Sequence, residues 1–156
     1  MYSSNGRTCI GGRFERAWRG VDGSELISAE ISIAGLWVDR SKKKASFATL
    51  QKDFVATLSQ IILHRQQVEK LIDDLTDWLD SPVTILVDLC GDTKDQSLKI
   101  YIGPPDPRER LEKTIFEVQY LGTAFEGKWS FGIDQSCVRL FADEMRLALG
   151  KLGRSS

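Results

Sequence analysis

"FVATLSQIILHRQQVEKLIDDLTDWLDSP", residues 54–82, decides how the rest of the chain is read. Phe54, Leu58, Ile61, Val68, Ile72, Leu75 and Leu79 fit a 4-3 helical spacing, which would make one helix of about 27 residues, long against the usual ~11–12. The first part, 54–63, also alternates and is rich in β-branched residues, the composition of a half-buried strand. The two readings part at His64. The expectation is a strand to about residue 62 and a helix over about 65–79, where Val68, Leu71, Ile72, Leu75, Trp78 and Leu79 form one apolar stripe. "DSP" (80–82) stops that helix, because a residue before proline avoids the α region.

Working outward, the flanks alternate. "ISAEISIAGLWV" (27–38) puts Ile27, Ala29, Ile31, Ile33 and Trp37 on one face, with Ser28, Glu30 and Ser32 on the other. "DRSKKK" (39–44) reads as a charged turn and "ASFATL" (45–50) as a return strand. Further strands are expected at 83–90, 97–103, 114–121 and 128–134. The Pro-rich 104–113 is an exposed loop, and "GDTKDQ" (91–96) is a hairpin tip. A second helix, about 136–149, can be capped by Asp134 or Ser136 and ended by Gly150. The sequence shows no internal repeat. Short connections favour antiparallel pairing. The expected class is therefore α+β: a mostly antiparallel sheet of about 6–7 strands, with two main helices packed on one face. Residues 1–24 read as a flexible or docking segment (14–25 alternatively as a first edge strand), 25–152 as a single domain and 153–156 as a tail.

Composition narrows function. With 156 residues, 42% hydrophobic and 28% charged, the chain reads as one globular domain. A formal net charge of −1 provides no global field toward nucleic acid or anionic membrane, so neither is expected as a partner. Charge is uneven locally. Arg7, Arg13, Arg16 and Arg19 outweigh Glu15 and Asp22 over residues 1–24, whereas residues 64–80 carry Glu69, Asp73, Asp74, Asp77 and Asp80 against Arg65 and Lys70. Cys9, Cys90 and Cys137 are far apart and odd in number, which argues against a disulfide framework or a zinc knuckle and favours a cytoplasmic setting. No apolar run approaches the ~20 residues of a membrane span.

Catalytic signals are thin. The single histidine, His64, sits at a helix start, where a cap neighbour is the simpler role than a base. Cys137 would lie in the first turn of the second helix, where the dipole favours a thiolate, but small cysteines more often fill core space. "GRTCIGGR" matches no phosphate-binding fingerprint, and "GDTKDQ" lacks a full calcium ligand series. No catalytic residue, metal site or cofactor is expected. Trp37, Trp78 and Trp129 fall on apolar faces, while Trp18, beside Arg16 and Arg19, is an interface candidate. On the first helix Glu69, Asp73, Asp77 and Asp80 share one arc. Asp77 and Asp80 oppose the helix dipole there, at a cost of ~0.3–1 kcal/mol each. A ridge kept against that preference suits a basic partner.

The layout of "QVEKLIDDLTDWL" (67–79), a long hairpin, "FEVQY" (116–120) and "WSFGID" (129–134) resembles small bacterial α+β proteins of uncharacterised families, several of them immunity proteins of polymorphic-toxin and contact-dependent inhibition systems. The resemblance spans residues ~27–150 and is one of layout. It implies a non-enzymatic cytoplasmic binder that covers a toxin's active site; charge makes Glu69, Asp73, Asp77 and Asp80 the contact residues, with Trp18 beside its arginines as a further partner-binding candidate. Two alternatives stand beside it. One is a small-molecule binder or cryptic enzyme on the open sheet face at Asp88, Tyr101, Glu117 and Gln119. The other is a homodimer with a structural or regulatory role.

Overall fold

The computed structural model describes residues 1, 8–38, 50–91, 93, 95–104, 108, 114–123 and 126–153. Seven strands and two helices follow in the order β1 (Thr8–Arg19), β2 (Glu25–Val38), β3 (Leu50–His64), α1 (Arg65–Asp80), β4 (Ile85–Asp88), β5 (Ser97–Ile102), β6 (Thr114–Leu121), β7 (Glu126–Ile133) and α2 (Gln135–Leu152). The ambiguous stretch resolves at His64: alternation holds to the end of β3, and the helical stripe begins at Arg65. The class is α+β with antiparallel pairing throughout. The strands divide into two sheets, β1-β2-β3 and β4-β5-β6-β7. α1 intervenes between β3 and β4, so those two cannot form a hairpin and the chain starts a second sheet. Strands followed by a helix thus occur twice, without a matching repeat in the sequence.

Residues 8–19, expected within a flexible or docking segment, form β1 and pair with β2 from Thr8↔Gly35 to Arg19↔Glu25. Ile10 and Phe14 on its inner side join the core, which is why this segment docks along its length. Residues 39–49, including the expected turn and most of the 45–50 strand, lie outside the described residues. β4 starts at Ile85, two residues later than expected, and Val83 is exposed. α2 runs through Gly150 to Leu152. The C-terminal cap is instead Gly153 at φ 73°, the left-handed conformation that favours glycine.

One core joins both sheets and both helices. Ile27, Ile33, Ile61 and Leu63 come from the first sheet, and Leu98, Ile102, Phe116 and Ile133 from the second. α1 supplies Val68, Leu71, Leu75 and Trp78, and α2 supplies Val138, Ala142 and Leu149. Each of the larger of these side chains, Ala142 aside, contributes roughly 1.5–3 kcal/mol relative to exposure. Phe116 ties the second sheet to α2 through an edge-on contact with Phe141, ring centroids 5.9 Å apart. The sheets meet where β3 ends. There His64 N donates to Leu89 O at 2.8 Å, and Ile62 N donates to Gln96 Oε1 at 3.0 Å.

Candidate functional site

Register places an open, polar surface on the outer side of the first sheet. Across its three strands run the rows Trp18–Leu26–His64, Arg16–Ser28–Ile62 and Gly11–Ser32–Thr57, with Arg13 opposite Glu30. Directly opposed residues share a sheet face, and the inner partners, Ile27, Ala29 and Ile33, are buried. Two irregularities interrupt the ladder near its middle. β1 shifts register between Phe14 and Arg16, which leaves Glu15 as the extra residue. β2 and β3 shift between Ala29 and Ile31, which sets Ser59 and Gln60 together opposite Glu30. Without the β1 bulge, Arg16 and Trp18 would turn inward, since a one-residue slip flips every side chain.

On this surface the Arg16 guanidinium carbon lies 5.3 Å from the centroid of the Trp18 ring, a cation–π contact. Trp18 is half-buried, and Arg16 and Arg19 are exposed. Arg13 is held between Glu15 (3.4 Å) and Glu30 (3.6 Å). The hydroxyls of Ser32 and Thr57 are 3.2 Å apart. The hairpin tip beyond Trp18 is fixed by Asp22, whose Oδ1 accepts from Ser24 N (3.0 Å) and Ser24 Oγ (2.6 Å). That hydroxyl bond holds the Asp22 carboxyl below its ordinary pKa.

The second sheet's outer face brings together the other predicted residues. Tyr101 is opposite Glu117, and Lys99 is flanked by Asp88 and Gln119. Glu117 is paired with Lys128 of β7 at 2.9 Å. Asp88 is structural: its carboxylate accepts from Cys90 N, Ser97 Oγ and Leu98 N and so shapes the β4–β5 turn. Leu86 and Ile115 stand exposed among these polar groups.

The α1 ridge is partly self-neutralised. Glu69 accepts from Arg65 Nε at 3.0 Å, and Asp74 pairs with Lys70. Asp73, Asp77 and Asp80 are exposed, with no basic residue in the last turn. Trp18 lies in β1 of the first sheet, not on this helix.

Two of the three thiols, Cys90 and Cys137, are poorly suited to chemistry. Cys90 is fully buried, which pushes its pKa up to about 12. Burial also raises that of Cys137, whose N–H is spent on the Asp134 cap. His64 forms the N-cap of α1 without a side-chain cap bond, and its ring faces Gly91, where a Cβ would come within 3.1 Å of it. Gly91, at φ 57°, is therefore suited to its place on two counts. Among the described residues no group of three or more His, Cys, Asp or Glu side chains could hold a metal ion, and no helix is long and apolar enough to cross a membrane.

No family model matches the chain. Elongation factor G of Wolbachia pipientis subsp. Culex pipiens (strain wPip) is 26% identical to it over 122 residues, 78% of this chain. The match spans 16% of that protein's length. Among solved structures, WHY1 from Arabidopsis thaliana is similar at 8% identity and a TM-score of 0.44, over 94% of this chain and 84% of that one. The plant transcriptional regulator PBF-2 gives 8% and 0.39, over 93% and 75%. A guideRNA-binding protein complex bound to a gRNA gives 9% and 0.37, over 91% of each chain.

Two expectations are corrected. The first is the immunity-type domain neutralising a basic partner, with its ligand-binding, cryptic-enzyme and homodimer alternatives. The second is the exclusion of nucleic acid. The solved structures found similar are named for a plant transcriptional regulator and a guideRNA-binding protein complex. The physical reasons are local. Glu69 and Asp74 of the acidic helix are already paired within it. Net charge averaged over the chain conceals a strand, β1, that carries Arg13, Arg16 and Arg19 on or beside one open face. Composition could not reveal the β1 bulge that turns Arg16 and Trp18 outward together. The alternation of Ser28, Glu30 and Ser32 did mark the face itself.

Proposed function

We propose that the chain is a non-catalytic module that binds single-stranded nucleic acid across the outer face of β1-β2-β3. The observation that supports this most is the Arg16–Trp18 pair on an open sheet surface. An indole offers a π-face on which any unpaired base can stack, and a guanidinium beside it meets the phosphate or a second base; such stacking contributes ~1–3 kcal/mol per base. Arg19 lies next along the strand, and the Ser28, Ser32 and Thr57 hydroxyls provide donors and acceptors in the adjoining rows. A sheet presenting aromatic, arginine and hydroxyl groups suits splayed single strands better than the regular grooves of a duplex.

The test is fluorescence anisotropy with labelled single-stranded DNA and RNA of one mixed sequence, competed by the matching duplex. Saturable binding, weakened about tenfold by Trp18→Ala and poorly competed by duplex, supports the reading. No saturable binding to either strand, or equal binding by wild type and Trp18→Ala, overturns it.

A further inference from the structure

Arg19, Glu25 and Arg65 meet at the end of the first sheet, beside the Trp18 row. Arg19 is directly opposite Glu25 in the register of β1 and β2. Leu26 is opposite His64, so Glu25 also adjoins Arg65, the first residue of α1. One carboxylate thus stands between two guanidinium groups, and one of them engages it. Glu25 Oε2 is 3.4 Å from Arg65 Nε, whereas no ion pair among the described residues holds Arg19, which is exposed. Burial decides the choice. Arg65 is only 8% exposed, and a buried cation left without a counter-charge is costly. A solvated Arg19–Glu25 pair would gain little by comparison.

We infer that Arg65 is a positioning residue for nucleic-acid binding: it holds Glu25 so that Arg19 stays free for a phosphate of the strand stacked on Trp18. The inference rests on the single-strand-binding reading. Alternation sends Arg19 to the other side of β1 from Trp18, but β1 is an edge of its sheet among the described strands. A strand whose base lies on the indole meets Arg19 as its backbone passes over that edge, since the two Cα atoms are only ~3.8 Å apart. The other arginines of β1 are engaged. Arg13 is held by Glu15 and Glu30, and Arg16 lies against the indole. Loss of Arg65 releases Glu25 toward Arg19, where its carboxylate competes with phosphate for the same guanidinium.

The experiment measures anisotropy of one labelled single-stranded DNA over a series of salt concentrations, with the Tm of each protein. The variants are Arg19→Gln, Glu25→Gln, Arg65→Gln, and Arg65→Gln combined with Glu25→Gln or with Glu69→Gln. Arg19→Gln should flatten the slope of log affinity against log salt by about 0.7, the share of one phosphate on a single strand. Arg65→Gln should flatten it as much, and Glu25→Gln alone should leave it unchanged. Arg65→Gln/Glu25→Gln should regain the wild-type slope with Tm still lowered, because the contacts of Arg65 with Glu69 and Gly153 stay lost. Arg65→Gln/Glu69→Gln has the same net charge as that double variant and should not regain it. An unchanged slope in Arg19→Gln or Arg65→Gln, a steeper slope in Glu25→Gln, or equal rescue by the two double variants overturns this inference and leaves the Trp18 face standing. Should Arg65→Gln fail to fold, the Arg19 and Glu25 variants decide it. Failure of wild type to bind any strand overturns the single-strand reading itself, and this inference with it.

Discussion

At the scale of single residues, side-chain exposure separates reactive from inert. Trp18 contributes little to the core, so Trp18→Ala should shift Tm far less than it shifts binding; circular dichroism melts beside the anisotropy assay check this. Arg16→Lys should weaken binding although charge is conserved, because an ammonium lacks the planar guanidinium that stacks on the indole. Cys90 makes the opposite case. Buried, and with its thiol pushed to about pKa 12, it should resist a disulfide-exchange reagent at neutral pH until the chain unfolds. Mass spectrometry of the labelled protein would locate the modified thiols. Trp18 and its arginines were legible in the sequence as a candidate because they lie close together in it. Arg65 was not, since Glu25 and Gly153, which it contacts, are brought to it only by the fold.

Elements were more legible, because periodicity is local. The α1 stripe and the alternation of β2, β5 and β6 are visible in the residues themselves, and Asp134 was recognisable as a cap. Asp134 does cap α2: Oδ1 accepts from Cys137 N at 3.1 Å and from Ser136 Oγ at 2.5 Å. The Ser136 bond, foremost, holds the Asp134 carboxyl below its ordinary value of 3.8. A depressed carboxyl stabilises the fold above its unfolded pKa and loses that contribution as pH falls through the folded value. Asp134→Ala should therefore cost about 1 kcal/mol at neutral pH. The difference from wild type should shrink below about pH 4 in denaturant melts. The helix end was misplaced for a related reason. Gly150 and Gly153 both suit a terminus, and only the packing of Leu149 and Leu152 against the core carries the helix on to the second.

At the scale of the whole molecule, the division into two sheets could not be read from strand patterns, which give faces but not neighbours. What joins the parts is a few side chains that reach between elements. Arg65, nearly buried at the start of α1, contacts Glu25 of β2 at 3.4 Å and Glu69 of its own helix at 3.0 Å, and donates to Gly153 O at the cap of α2 at 2.5 Å. Arg65→Ala should cost about 1–3 kcal/mol, read as a lower urea midpoint. Binding to nucleic acid carries its own signature at this scale. With two or three arginines available on the face, log affinity should fall against log salt with a slope of only about −1.5 to −2. A steeper slope would place the contact surface elsewhere.

The Lys128–Glu117 pair has one more consequence. Among the described strands β7 (Glu126–Ile133) is an edge strand of the second sheet, and its Lys128 pairs with Glu117. A lysine in the middle of such a strand deters another copy from adding to it, because stacking copies would bury like charges. Lys128→Val would remove that guard from an edge already bearing Trp129 and Phe131. The result would be measured not in melting or affinity but in shelf life, as concentration-dependent fibrillar aggregation of a protein still correctly folded.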